Sequence, residues 1–161
     1  PQDVIDITVD LATEMLRLAG KPDVDVASAL RDGRAMDKWN QMIAAQGGDL
    51  STPMAVARES HTVLAQTDGV LTQLDALAVG VASWRLGAGR ERKEDAVQFG
   101  AGITLHAQQG QTVKAGQPLL TLYTDESNRF ERALDSLAGG VTIDSAAAES
   151  TKSIVIERVT A

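Results

Sequence analysis

The sequence of 161 residues contains no cysteine. That removes disulfides, thiolate metal sites and cysteine nucleophiles together, and it suits the reducing cytoplasm expected as the location. Aromatic residues amount to 3%, so the core must be assembled from Val, Ile, Leu and many Ala, whose small size favours close approach of backbones. No apolar run approaches the ~20 residues that a bilayer span needs, and no signal peptide is visible, so no membrane is expected among the partners. Basic residues number 15 against 22 acidic ones, a net charge of −7. Nucleic-acid affinity rests on Lys and Arg neutralising phosphates, so no nucleic acid is expected either. The remaining composition, 43% hydrophobic and 23% charged, is ordinary for a globular chain. At this length roughly 70% of the unfolded surface can be buried without a metal or disulfide staple. The chain opens on Pro1 and enters a helix almost at once, which reads as a cut end.

Residues 3–19, DVIDITVDLATEMLRLA, predict a helix. Asp3, Asp6, Asp10, Glu14 and Arg17 recur at spacings of three or four and form one polar ridge, read as a solvated face rather than a cation site. Nearly everything else is apolar: Val4, Ile5, Ile7, Val9, Leu11, Met15, Leu16 and Leu18. So narrow a wet stripe requires cover over most of the circumference, and a partner polypeptide is expected to supply it. Gly20 and Lys21-Pro22 stop the helix. A second helical stretch, 25–46, has Val26, Leu30, Met36, Trp39 and Ile43 as its expected buried side, a break at Gly33, and an end at Gly47-Gly48-Asp49.

From residue 61 the pattern changes to short strands punctuated by glycine. Strands are predicted at 61–66, 70–74, 102–108, 118–124, 141–144 and 153–159. A helix capped by Asp75 presents Leu77, Val81 and Trp84 on one face. Another, capped by Asp125 and running to about Ala138, presents Phe130, Ala133, Leu134 and Leu137 before Gly139-Gly140. The expected class is α+β, with a helical segment 1–50, a loop 51–60 and a mixed module 61–161.

Gly110, Val113, Gly116 and Leu119 form a turn-and-strand rhythm that resembles half of a barrel-sandwich hybrid, as in biotinyl and lipoyl carriers. A carrier needs a lysine on an exposed hairpin after the second strand, because its cofactor is attached there as an amide. That position reads Leu122-Tyr123-Thr124-Asp125, and no lysine occurs between Lys114 and Lys152. A carrier-like interaction module without its attachment chemistry is the alternative reading.

LATEMLRLAG (11–20), MIAAQGGD (42–49), GVLTQLDALAVGVASWRLGAGRERKED (69–95) and LGAGRERKEDAVQFGAGITLHAQQGQTVKAGQPLLTLYTD (86–125) together resemble the C-terminal portion of pyrimidine-nucleoside phosphorylases, most closely the thymidine phosphorylases. The resemblance implies a pentosyltransferase, a homodimer, and reversible phosphorolysis of a pyrimidine deoxynucleoside, with phosphate as co-substrate and no cofactor. It also implies that the first 50 residues belong to a larger α/β lobe. The family's phosphate loop and base grip have no counterpart between Pro1 and Ala161, so no catalytic residue is assigned. The chain alone is expected to be inactive, its first partner being an upstream part of the same protein.

GAGRERKED (87–95) looks at first like a phosphate grip. Between Arg85 and Asp95, however, four cations face three anions, and the glycines follow a helix instead of opening one. Gly87 reads as a helix stop. A solvated connector is the first reading. The second is a mobile loop closing over an upstream active site, with Arg90, Arg92 or Lys93 as its contacts; direct phosphate binding comes last. His61 and His106 lie on different predicted strands without a flanking carboxylate, which favours packing over acid–base work. Trp39 and Trp84 are expected to pack in a core or between lobes.

Overall fold

The computed structural model describes residues 1–150 and 153–159 and contains mixed helix and strand, the expected α+β class. The described residues divide into two compact units, 1–53 with 153–159, and 54–150. No helix of the described residues is long and apolar enough to cross a membrane. The parts of the expected 61–161 module at 151–152 and 160–161 lie outside the described residues.

The first unit holds α1 (Gln2–Leu18), α2 (Val26–Arg31) and α3 (Arg34–Ala45). Asp25 caps α2 by accepting from the Ser28 amide at 2.9 Å. The break at Gly33 is real, with φ of 95° in the left-handed region that favours glycine. None of the three helices contains a buried residue. Met15 is 70% and Leu18 77% exposed, so α1 is as uncovered as its sequence implied. The expected burial of Leu30, Met36 and Trp39 is corrected: all three are exposed, because no element of this unit packs over them. The strand expected at 153–159 is also absent; the segment is irregular and exposed. Its β-branched residues have no strand edge in this helical unit to pair with. Arg158 instead donates to the Glu14 carboxylate at 2.8 Å, which also accepts from Arg17 at 2.9 Å.

The second unit is built from six strands. β1 (Glu59–Leu64), β3 (Gly102–Leu105) and β5 (Pro118–Thr124) form one antiparallel sheet in the order β1-β5-β3. β2 (Gly69–Leu74), β4 (Thr112–Val113) and β6 (Val141–Asp144) form the other in the order β4-β2-β6. Consecutive strands thus alternate between sheets. Side-chain alternation along β5 fills two cores. Leu119 joins Ala65, Leu71, Ala107 and Val113 between the sheets. Leu120 and Leu122 point the other way, onto Ala82, Leu86, Ala133 and Leu137 from α4 (Ala76–Ser83), the turn beyond it and α5 (Arg129–Leu137).

Several boundaries differ from the sequence reading. The first strand lies two residues earlier than expected: its register with β5 shifts after Val63, and Ala65, beyond the strand, bonds the Gln117 carbonyl at 2.8 Å. β3 ends at Leu105; His106 still donates to Leu119 O before the chain turns at Gln108–Gln111. Asp75 caps α4 as expected, accepting from the Ala78 amide at 2.7 Å. The face of α4 is corrected: Ala82 is buried and Val79 packs on the core, while Leu77 is 77% exposed. Small residues let α4 press close to its neighbours, and bulk at Leu77 is left outside. Asp125 does not cap α5, which begins four residues later at Arg129 with Asn128 before it. The Asp125 carboxylate accepts from the Arg58 amide instead.

Two contacts locate the turns. Buried Gly140 abuts α4 so closely that a Cβ there would stand 2.7 Å from the Ala78 methyl. Asp68, in the β1–β2 turn, accepts from the Ala115 amide at 2.8 Å and from Lys114 Nζ at 3.0 Å, tying that turn to the one before β5. These bonds, the amide first and the ammonium second, hold the Asp68 carboxyl below its ordinary value.

Gly140→Ala is expected to destabilise the fold by about 1–3 kcal/mol through overpacking, measured by denaturant melts; an unchanged midpoint would contradict the close approach. The lowered folded-state pKa of Asp68 predicts stabilisation that is present above the unfolded aspartate value of about 3.9 and lost as pH falls through the lower folded value. Asp68→Asn should therefore lower the melting temperature at pH 7, with the gap to the native protein narrowing towards pH 2.

Candidate functional site

The last turn of α4 widens over Trp84–Ala88 and breaks at Gly87, with φ of 108°. From there the chain leaves as an irregular loop and returns at Gln98. The two ends are clasped: the Gln98 amide donates to the Gly87 carbonyl at 2.9 Å. A Cβ on Gly87 would lie 2.8 Å from the Gln98 side-chain carbon, so both backbone conformation and space call for glycine here.

Gln98 also joins this loop to the end of β5. Its side-chain oxygen accepts from the Asp125 amide at 2.8 Å and lies 3.1 Å from the Thr124 hydroxyl; its amide nitrogen donates to Glu126 at 2.7 Å. Thr124 is buried, and its hydroxyl also reaches the Leu86 carbonyl at 2.8 Å. Loop base, strand end and the approach to α5 therefore form one hydrogen-bonded cluster.

Above that cluster opens a cleft of about 460 Å³, lined by Gly87, Glu91, Arg92, Asp95, Gln98, Glu126, Asn128, Arg129 and Arg132 among others. Three guanidinium groups and three carboxylates meet there. Arg129 pairs with Glu126 at 3.2 Å and Arg132 with Glu91 at 3.0 Å. The Arg92 amide donates to Asp95 at 2.7 Å. The charges balance, and two of the three guanidiniums are already paired with carboxylates.

Of the sequence-derived candidates, Arg92 lines this cleft, whereas Arg90 and Lys93 are exposed on the loop and do not line it. The Arg90 carbonyl is held by the Trp84 indole N–H at 2.9 Å, so Trp84 supports the loop rather than filling the core. Arg85, grouped with the loop cations in the sequence, is engaged elsewhere, donating to the Arg132 carbonyl at 2.7 Å. His106 Nε2 lies 2.8 Å from the Thr121 hydroxyl, and the His61 ring packs on Phe130 with centroids 5.7 Å apart. His106 is thus hydrogen-bonded to its neighbouring strand, while His61 makes a ring contact. Among the described residues no acidic or histidine cluster could hold a metal.

Gln98, Asn128, Arg129 and Arg132 were missed in the sequence. The run DESNRFER (125–132) is visibly charged, but only the return of β5 beneath Leu86 shows that it faces the GAGRERKED loop.

Residues 70–144 match the sequence model described as the pyrimidine nucleoside phosphorylase C-terminal domain. The chain is 46% identical over 159 residues to the thymidine phosphorylase of Mycobacterium tuberculosis, covering 99% of this chain and 37% of that relative. It is 32% identical over 156 residues to the pyrimidine-nucleoside phosphorylase of Staphylococcus epidermidis, covering 90% of this chain and 36% of the relative. The Bacillus subtilis pyrimidine-nucleoside phosphorylase is 34% identical over 139 residues, covering 80% and 32%. The chain belongs to the pyrimidine nucleoside phosphorylase family. It spans a little over a third of the length of the curated relatives it matches.

The phosphorylase C-terminal domain contains the whole cleft, from Gly87 to Arg132. Within it, Gln98 should matter more than its exposed neighbours. Gln98→Ala leaves the Asp125 amide without its acceptor, a loss of about 1–3 kcal/mol for a partly buried group. Hydrogen exchange read by mass spectrometry should show faster exchange at residues 87–98 and 124–126; protection equal to that of the native protein would contradict the clasp.

Proposed function

We propose that the protein to which this chain belongs catalyses reversible phosphorolysis of thymidine, giving thymine and 2-deoxyribose 1-phosphate. A phosphate oxygen attacks the anomeric carbon, the bond from that carbon to the base nitrogen breaks, and the bonding pair leaves with the base. Such a reaction needs cationic and backbone donors for phosphate, and donors for the charge developing on the departing base. The observation that carries the reading is the near-complete match of this chain to a thymidine phosphorylase, 46% identical over 159 residues.

The main catalytic groups are assigned to the part of the protein upstream of these residues. Residues 1–50 contribute to a larger α/β lobe, which accounts for the uncovered apolar faces of α1 and α3. The loop 87–98 acts as a cover that approaches the active site, with Arg92 as its foremost cation and Arg90 and Lys93 as flanking ones. Its exposed, irregular middle and clasped ends are what such a movement requires. Phosphate is a co-substrate and no cofactor is needed. The working form is a cytoplasmic homodimer.

The full-length protein should release thymine from thymidine only when phosphate is supplied, measured by chromatography. Residues 1–161 alone should release none. Arg92→Ala in the full-length protein should lower kcat/KM by about tenfold to a hundredfold, the effect of losing one charge-assisted hydrogen bond. A folded full-length protein without phosphate-dependent activity would overturn the assignment. Turnover by the 161-residue chain alone would overturn the placement of the catalytic groups.

A further inference from the structure

Between Glu91 and Val97 the loop makes, among the described residues, one hydrogen bond or ion pair to another element. The Glu91 carboxylate accepts from Arg132 of α5 at 3.0 Å. Other bonds in that stretch are internal: the Arg92 amide to Asp95, and the Asp95 amide back to the Arg92 carbonyl. Residues 91–94 are exposed and have no regular secondary structure. The loop ends, by contrast, are fixed at Gly87 and Gln98, and at Arg90 through the Trp84 indole. Arg132 has no other carboxylate partner among the described residues, since Glu126 is taken by Arg129 and Gln98.

We propose that the Glu91–Arg132 ion pair is a salt-sensitive latch that sets the resting position of residues 91–97 beside α5. The loop is released when this single contact breaks, while the clasp at Gly87 and Gln98 keeps its base in place. The latch deepens the loop-closure reading above and rests on it for its purpose. Its side chains are 60% and 42% exposed, which makes the pair weak. An exposed pair changes the closed-to-open ratio by about 1.4-fold to fivefold, a contact that thermal motion breaks readily. Because the charges are solvent-accessible, salt weakens the pair further.

The loop supplies its own reporter, since Arg90, Arg92 and Lys93 are trypsin sites. Limited trypsin digestion of the full-length protein, followed by mass spectrometry, reads the rate of cleavage within residues 90–93. Arg132→Met leaves the loop sequence untouched and should speed that cleavage about two- to fivefold at low salt. Glu91→Gln, normalised to a free peptide carrying the same change, should do likewise and serves should Arg132→Met fail to fold. Raising salt from about 0.01 M to 1 M shortens the screening length from about 30 Å to 3 Å, and should bring the native rate up to that of the variants. Variants cleaved no faster than the native protein, or an equal response of all three to salt, would overturn the latch. An inactive full-length protein that still shows the salt-dependent difference would support the latch and overturn the assigned reaction.

Discussion

The second unit depends on burying both faces of one strand. β5 is hydrogen-bonded along both edges, to β1 and β3, and covered on both sides. Leu119 serves the core between the sheets, while Leu120 and Leu122 serve the core beneath α4 and α5. A strand so enclosed cannot slip by one residue without exchanging its two cores. Its end is therefore fixed at Thr124, and with it the groups that receive Gln98. The position of the loop follows from strand register: Thr124 and Asp125 bind Gln98, Gln98 binds Gly87, and residues 89–97 project beside α5.

This explains what could be read from the sequence and what could not. PLLTLYT reads as a near-continuous apolar run, the mark of a strand covered on both faces, and its bounds are those observed. Asp75 announces α4 through local capping chemistry, and Gly87 and Gly139 end helices with positive φ. Errors arose where a local signal had a distant competitor. Asp125 has the chemistry of a cap, but Gln98 and Arg58 bind its backbone and carboxylate first. Leu77 looks like a core residue of α4, yet the close approach of Gly140 to Ala78 turns the smaller face inward. The cleft is the extreme case. Its two sides are separated by more than 25 residues, and nothing local in GAGRERKED or DESNRFER shows that they meet.

The two units differ in how they satisfy the hydrophobic effect. Residues 54–150 enclose two apolar clusters of their own. Residues 1–53 form regular helices whose apolar faces remain exposed, and isolated helices of this length are marginal in water without tertiary packing. The first unit therefore lacks, among the described residues, the enclosed apolar cluster that the second possesses.

The contrast can be measured directly by preparing residues 54–150 and residues 1–53 separately and following each by circular dichroism during heating. The account predicts a cooperative, sigmoidal transition for 54–150 and a gradual, featureless loss of weak helicity for 1–53. A sharp transition in 1–53 alone, or none in 54–150, would contradict it.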